Sequence, residues 1–468
     1  MDENTQRQPN PRRRRKTKTK VEIFKEAYLP TIILGVAAVL ILVFIIGSVS
    51  RNNAKKKPPV LEEIPSTSES IPSQLELEVQ QLLAEAQILA LDYNFKGAVD
   101  LLNGFQGDKS AFPELTAKIN EYTQQASQMV AWSDPAQIVH LSFHSLIADN
   151  KAFSDQQYGK SYNRNFITVA EFRKILADLY ENGYVLVDLD DITTYQTDTT
   201  GTTCSAKTLY LPLGKKPMLL TQTNLNYYTY MIDGDGDGEP DKDGAGFASR
   251  LVVDESGNIT CEMVNSSGQT VTGEYDLIPI LEAFIAEHPD FSYKGARAIL
   301  AVSGYDGIFG YRTTNAAKTA KGLDYYNAQV EGATELVAAL KDKGYRLACY
   351  TYGNTAYGKV AAGEIQMDLN NWNAEVTPIL GATDILVFAQ NSDIGAYSGS
   401  KFNVLHNAGF RYYFGFADNR TGGEIGANYI AQDRLLVTGS QIANAPGLFT
   451  GLFDAATILD PQRGSVPK

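Results

Sequence analysis

Cysteine is scarce in this chain. There are three in 468 residues, an odd number that builds no disulfide framework. Cys204 and Cys261 fall in one loop-rich region and are the pair available for a single bridge in an oxidising compartment. Cys349 sits in an apolar strand pattern and reads as a buried thiol. Basic charge is also scarce over most of the length. Residues 1–57 carry 13 Lys/Arg against 4 Asp/Glu, but residues 58–468 carry 28 against 50, a balance of −22. A surface that acidic repels phosphates, which excludes nucleic acid as a partner. Long apolar runs are missing too, with one exception.

That exception is Tyr28 to Val49, YLPTIILGVAAVLILVFIIGSV. It offers about 20 uncharged residues, the length of a helix that crosses a bilayer. The run Arg12-Arg13-Arg14-Arg15-Lys16 precedes it, whereas only Arg51 and Lys55-Lys56-Lys57 follow. The heavier positive charge stays inside. The sequence therefore predicts a basic cytoplasmic tail over 1–27, a single-pass span over 28–49 and an extracellular remainder. The basic tail suits the anionic inner leaflet. Residues 50–72 are rich in Pro, Ser and charge and read as a flexible stalk.

Apolar residues recur at helical spacing over 73–132, with a break at Gly104 and Gly107. The first part reads as a small all-α helical hairpin, similar to a tetratricopeptide unit. From 135 to 468 apolar strands alternate with amphipathic helices. Strands are expected at 138–143, 184–187, 217–221, 298–302, 347–351, 385–388, 412–416 and 435–437. Helices are expected at 169–182, 277–286, 333–343 and 374–380. Such alternation argues for parallel βαβ units, and this many of them for a distorted parallel (β/α) barrel of about seven strands. Chemistry in such barrels sits at the C-terminal strand ends.

Four of those ends carry polar residues. They are His140-Leu-Ser142-Phe-His144, then Thr221-Gln-Thr223-Asn224 with Tyr227 and Tyr228. Next come Ser303-Gly-Tyr305-Asp306 followed by Tyr311-Arg312, and last Tyr350-Thr-Tyr352-Gly-Asn354. Taken with Phe172, Gly183-Tyr184, Lys216-Pro217, Lys343-Gly344-Tyr345 and Gly409-Phe410, the order of these segments resembles the polysaccharide deacetylase superfamily of carbohydrate esterases. The segment from His288 to Ala296 and the Gly310-Tyr-Arg-Thr turn look like a membrane-anchored bacterial branch of it.

The resemblance implies a metal-dependent N-deacetylase site. Active members carry an Asp-Asp pair on one strand end and His-x-x-x-His on another. There the metal polarises the acyl carbonyl and activates water. In this chain the Asp-Asp pair falls on Thr223 and Asn224, and the two histidines fall on Tyr350 and Asn354. The base and all three ligands are replaced together. Neutral oxygen donors hold a zinc-like ion far less well than carboxylate and imidazole. The expectation is therefore a catalytically inactive relative without a transition metal, binding a cell-wall glycan or a protein partner. The alternative is an active deacetylase using His140 and His144, which share a strand face, as replacement ligands. A third reading places the function in the helical hairpin, with the barrel as its support.

Tyr227, Tyr228, Tyr311, Tyr350, Tyr352 and Trp372 are candidates to line a sugar cleft. Asp306 and Arg312 are candidates for ligand contact or a structural ion pair. Asp188, Asp190 and Asp191 follow a strand and read as a helix cap. One further motif, Asp233-Gly-Asp235-Gly-Asp237-Gly-Glu239-Pro-Asp241, has the oxygen-ligand spacing of a calcium loop. Gly244 stands where the closing Glu of a sensor loop would be, so the expected calcium is structural.

Overall fold

The computed structural model describes residues 73–132, 134–233, 241–416 and 422–467. The tail, the apolar segment 28–49 and the stalk lie outside them. Among the described residues no helix is long and apolar enough to cross a membrane.

Eight parallel strands carry the fold. They are β1 (Val139–Phe143), β2 (Tyr184–Leu186), β3 (Lys216–Thr223), β4 (Ile299–Val302), β5 (Arg346–Cys349), β6 (Ile385–Val387), β7 (Tyr412–Phe416) and β8 (Ile430–Leu436). Pairing runs β4-β5-β6-β7-β8-β1-β3, and β3 pairs back to β4. Seven strands thus close a ring. β2 lies outside it, paired to the first half of β3 through Tyr184–Leu186, while β4 takes the second half. That sharing of one long strand by two short ones is the distortion of the barrel.

Alternation along each strand divides its residues between two cores. Leu141, Phe143, Met218, Leu220, Leu300, Val302, Tyr413 and Leu435 face outward. They meet the helices α4 (Val169–Glu181), α5 (Leu277–Glu287), α6 (Leu323–Lys343), α7 (Ala362–Glu375) and α8 (Gly399–Asn407), numbered after three N-terminal helices described below. α4 shows why these helices form where they do. Thr168 and Glu171 make a reciprocal capping box, and Phe172, Ile175, Leu176 and Leu179 fall on one buried face. Leu219, Ile299, Ala301, Ala348, Ile385, Val387, Tyr412 and Phe414 face inward and fill the barrel. All eight expected strands are present. The helix expected at 374–380 is two elements, because α7 runs to Glu375 and Pro378 opens a separate short turn at Thr377–Leu380.

The N-terminal helices are α1 (Gln74–Leu91), α2 (Phe95–Asn103) and α3 (Pro113–Ser127), a hairpin with a third helix added. Their buried residues join the barrel's inner cluster. The Lys294 N–H donates to the Asp92 carbonyl at 2.8 Å. Asp290 gathers the Tyr93 hydroxyl at 3.3 Å, the Tyr180 hydroxyl at 2.9 Å and the Lys215 ammonium at 3.0 Å. The segment from His288 to Ala296 therefore docks these helices at the N-terminal end of the barrel. A hairpin of Thr193–Asp198 and Gly201–Ala206 lies at that end as well, and a three-stranded antiparallel sheet, Arg250–Val253, Ile259–Val264 and Thr270–Gly273, is inserted between β3 and α5. Cys204 lies in the former and Cys261 in the latter; both are free thiols, which settles the bridge that the sequence leaves open.

Candidate functional site at the barrel mouth

The backbone is most constrained where the strands end. Ten described non-glycine residues have positive φ. Eight of them, Asn224, Tyr227, Asp306, Phe309, Thr351, Asn354, Gln390 and Asn391, follow β3, β4, β5 or β6. Positive φ is costly for bulky and β-branched residues such as Tyr227 and Thr351, and such strain collects at functional sites. Gly307 fits the same loops for a related reason. Its φ is +89°, and a Cβ there would lie 2.0 Å from the Tyr311 carbonyl oxygen.

Register places the inward residues of the top layer together. Ser142 pairs with Thr221, and Thr223 with Ala301. Ser303 and Tyr350 directly follow the paired Val302 and Cys349, while Arg434 pairs with Phe416. The layer is thus hydroxyls, one phenol and one guanidinium. His140 lies below it with Nε2 2.5 Å from Thr221 Oγ1, and His144 above it with Nδ1 3.0 Å from Thr223 Oγ1. Burial, together with the nearby Arg434 charge, drives the His140 pKa well below its ordinary value and pulls His144 down to about 4. Both imidazoles are neutral at physiological pH. A divalent ion held by them would sit beside a buried guanidinium, and like charges in a low-dielectric site repel strongly. Among the described residues no group of three or more His, Cys, Asp or Glu is arranged to hold a metal.

The positions that the resemblance marks as base and ligands are occupied by the neutral side chains of Thr223, Asn224, Tyr350 and Asn354. Thr223 donates to the Phe143 carbonyl at 3.2 Å, and Asn224 Oδ1 accepts the Tyr228 hydroxyl at 3.0 Å. The Asn354 carbonyl accepts from Gln390 at 2.7 Å, while its Oδ1 is buried without a partner. Three carboxylates near the mouth, Asp276, Asp306 and Asp368, are engaged. Asp276 accepts from the Leu146 and Leu277 N–H groups, the Gln222 amide and the Tyr227 hydroxyl, all within 2.9 Å. Asp368 accepts from the Tyr352 and Gly353 N–H groups and from the Thr355 and Tyr357 hydroxyls, again within 2.9 Å. Asp306 accepts the Thr229 N–H at 2.6 Å and pairs with Arg312 at 3.3 Å. These carboxylates hold the mouth loops in shape. Sequence reading singled out Asp306 but not Asp276, Asp368 or Arg434.

Several cleft candidates are core residues instead. Tyr227 is buried on Asp276, and Trp372 packs in the outer core. Tyr311 is buried with the Arg250 guanidinium over its ring. Tyr228 is buried too, but it belongs to a row of rings that reaches solvent. Tyr158 and Tyr230 lie 5.4 Å apart, Tyr230 and Tyr228 stack at 5.5 Å, and Tyr228 meets Tyr305 at 5.9 Å. Tyr230 and Tyr305 are exposed. Asp188 caps the turn at Leu189–Ile192 as expected and also pairs with Arg346 at 2.8 Å.

Tyr305 opens onto a cleft of about 850 Å³ beside the mouth, between the inserted sheet and the start of α6. Tyr305, Tyr325 and Tyr352 supply ring faces. Its charges are balanced in sign, with Arg250, Arg312 and Lys321 against Glu262, Asp306 and Glu375. Arg250 is paired to Glu262 at 2.5 Å, and Glu375 accepts the Tyr352 hydroxyl at 2.8 Å. Such a lining suits an uncharged, polyhydroxylated ligand lying on aromatic faces.

Of the calcium candidates, Asp235, Asp237 and Glu239 lie outside the described residues. Asp233 is buried at the end of the short helix Thr229–Ile232, and the Asp241 N–H donates to the Ile232 carbonyl at 2.8 Å.

The fold and mouth define a closed seven-strand parallel barrel with a polar opening. No protein-family model matches the chain. No curated protein matches it. Among solved structures, the chain is similar to a Streptococcus pyogenes deacetylase, PplD, in complex with acetate. The two are 8% identical, the match covers 66% of this chain and 97% of that one, and the TM-score is 0.35. A likeness at that score carries no argument, and the barrel assignment rests on the strand pairing given above.

Proposed function

We propose that this chain is a deacetylase-like barrel that has lost hydrolysis and binds a cell-wall glycan, held outside the membrane by its N-terminal apolar segment. The observation that carries the binding is the 850 Å³ cleft with its charge-balanced walls and the exposed Tyr305 ring. The engaged state of Asp276, Asp306 and Asp368 supports the loss of hydrolysis, since a general base must be able to reach the proton it takes. Placement outside the membrane is supported by the charge asymmetry around residues 28–49.

Isothermal titration of the full-length chain with chito-oligosaccharide or soluble peptidoglycan fragments tests the reading. Binding should weaken about tenfold in Tyr305→Ala, the scale of one aromatic contact. No acetate should be released above a metal-free control. Acetate release, or binding indifferent to Tyr305, would overturn it.

We also assign a structural calcium to the 233–241 loop. The sequence there spaces its oxygen ligands as a calcium loop does. Binding to the folded state alone raises stability by about 2.7 kcal/mol at a hundred times the dissociation constant. Millimolar calcium should raise the melting temperature of the wild type and leave Asp235→Ala unchanged. Calorimetry showing no calcium uptake at millimolar concentration would leave the loop a solvated acidic insertion.

A further inference from the structure

We propose that the floor of the barrel mouth is a carboxylate receptor, with Arg434 as its charge and the carboxylate of an acidic sugar as its occupant. The sugar part of this statement rests on the glycan reading above; the carboxylate part does not.

Arg434 is 3% exposed, so its charge is removed from water. A buried guanidinium is normally matched by a carboxylate. Here its partners are neutral. Nε donates to the Gly415 carbonyl at 3.0 Å, Nη1 to Ser142 Oγ at 2.9 Å, and Nη2 to the Phe388 carbonyl at 3.5 Å. No carboxylate of the described residues reaches it within ion-pair distance. Arg463, the other arginine buried to this degree, behaves differently: it holds Glu171 at 2.6 Å. Asp433, next along β8, lies on the opposite face of the strand by alternation, toward Gly415, Gly422 and Asp393. It attracts Arg434 only at longer range.

The remaining donors point to the kind of ligand. A guanidinium has five N–H groups. Three are used, which leaves one on each terminal nitrogen. Two N–H groups from one guanidinium are what a carboxylate takes in a bidentate contact. Ser142 accepts from Arg434, so its own hydroxyl proton is available to donate. Tyr350 faces the same charge from β5. The imidazoles of His140 and His144 also face Arg434, and both are kept neutral. Among the described residues the layer therefore offers one cation and several neutral donors and no competing anion. The Tyr228 hydroxyl meets Ser303 Oγ of the layer at 2.8 Å and its ring contacts the exposed rings of Tyr230 and Tyr305, which favours a carboxylate attached to a sugar ring over a free one.

The test is titration of the full-length chain with an oligoglucuronate and with its carboxyl-reduced counterpart, at ionic strength fixed by sodium chloride. The acidic oligosaccharide should bind the wild type at least tenfold more tightly than the reduced one. Arg434→Met should erase that preference. Ser142→Ala and Tyr350→Phe, which keep the guanidinium, should each lower the preference severalfold and decide the matter if Arg434→Met does not fold. Equal binding of the two oligosaccharides by the wild type would overturn the proposal, as would an undiminished preference in both hydroxyl variants. Failure of the cleft reading is separable: Tyr305→Ala would then leave the reduced form unaffected, whatever the carboxylate preference.

Discussion

Replacing Arg463 by alanine should lower the stability of the barrel by about 3–5 kcal/mol, because it strands a buried carboxylate. Arg463 and Glu171 are 1% and 0% exposed. Nη1 contacts both Glu171 oxygens, at 2.8 and 2.6 Å. The same guanidinium donates to Asn163 Oδ1 at 3.1 Å, the Asn163 carbonyl at 2.7 Å and the Phe166 carbonyl at 2.9 Å. Glu171 also closes the capping box of α4 and accepts the Asp460 N–H at 2.8 Å. One ion pair therefore fastens the C-terminal segment to the first barrel helix. Urea unfolding of the two proteins measures the loss. A double variant, Glu171→Leu with Arg463→Leu, should recover part of it, since removing both charges removes the stranded one. A shift under 1 kcal/mol for Arg463→Ala would show that the pair is not the fastening.

The second large effect is a pH dependence at Asp276. Its carboxyl is fully buried, and burial raises it from the ordinary 3.8 to about 6 against the pull of the Tyr227 hydroxyl and the other donors. A carboxyl raised on folding binds its proton more tightly in the folded state. Its contribution is favourable at low pH and is lost as pH rises from about 4 through about 6, a span worth about 3 kcal/mol. Asn in its place cannot titrate. The stability of Asp276→Asn relative to the wild type should therefore improve by about 3 kcal/mol between pH 3.5 and 7. Asp92, also raised to about 6 by burial, contributes the same slope to both proteins and cancels in the difference. A relative stability that does not change with pH would mean that Asp276 is charged throughout, held by its four donors.

The sequence made the barrel legible because parallel strands buried on both faces read as apolar runs. β1, β3, β4, β5 and β7 were each found within a residue or two of their observed ends. The expected strand 435–437 overlaps β8 only at Leu435 and Leu436, since Gln432, Asp433 and Arg434 interrupt its apolar pattern. That interruption is the same feature that hides the central charge of the mouth. An inward residue two positions from another inward residue is expected to be apolar, and an arginine there reads as a loop. Asp276 and Asp368 were invisible for a different reason. Each collects donors from several loops, and nothing in a linear pattern says that four donors will meet at one carboxylate.

Tyrosines misled in the opposite direction. Tyr227, Tyr228, Tyr311 and Tyr352 were candidates by their place at strand ends, where side chains can face the opening. Backbone turns at positive φ send Tyr227 inward onto Asp276, while Tyr352 remains on the cleft wall. Tyr305, the most exposed ring of the group, sat in the same motif as Asp306 and was passed over in its favour.

The sequence by itself determined the strand and helix order and the split of charge around residues 28–49. Those properties are local or compositional, and they survive without knowledge of neighbours in space. Only the tertiary structure decided that β3 is shared by two strands, that Asp276, Asp306 and Asp368 are tied up in holding loops, and that a guanidinium with no carboxylate partner among the described residues stands in the mouth. Each depends on which distant residues meet when the ring closes: Arg434 and Ser142 are 292 positions apart, and hydrogen bonding at that separation leaves no periodic trace.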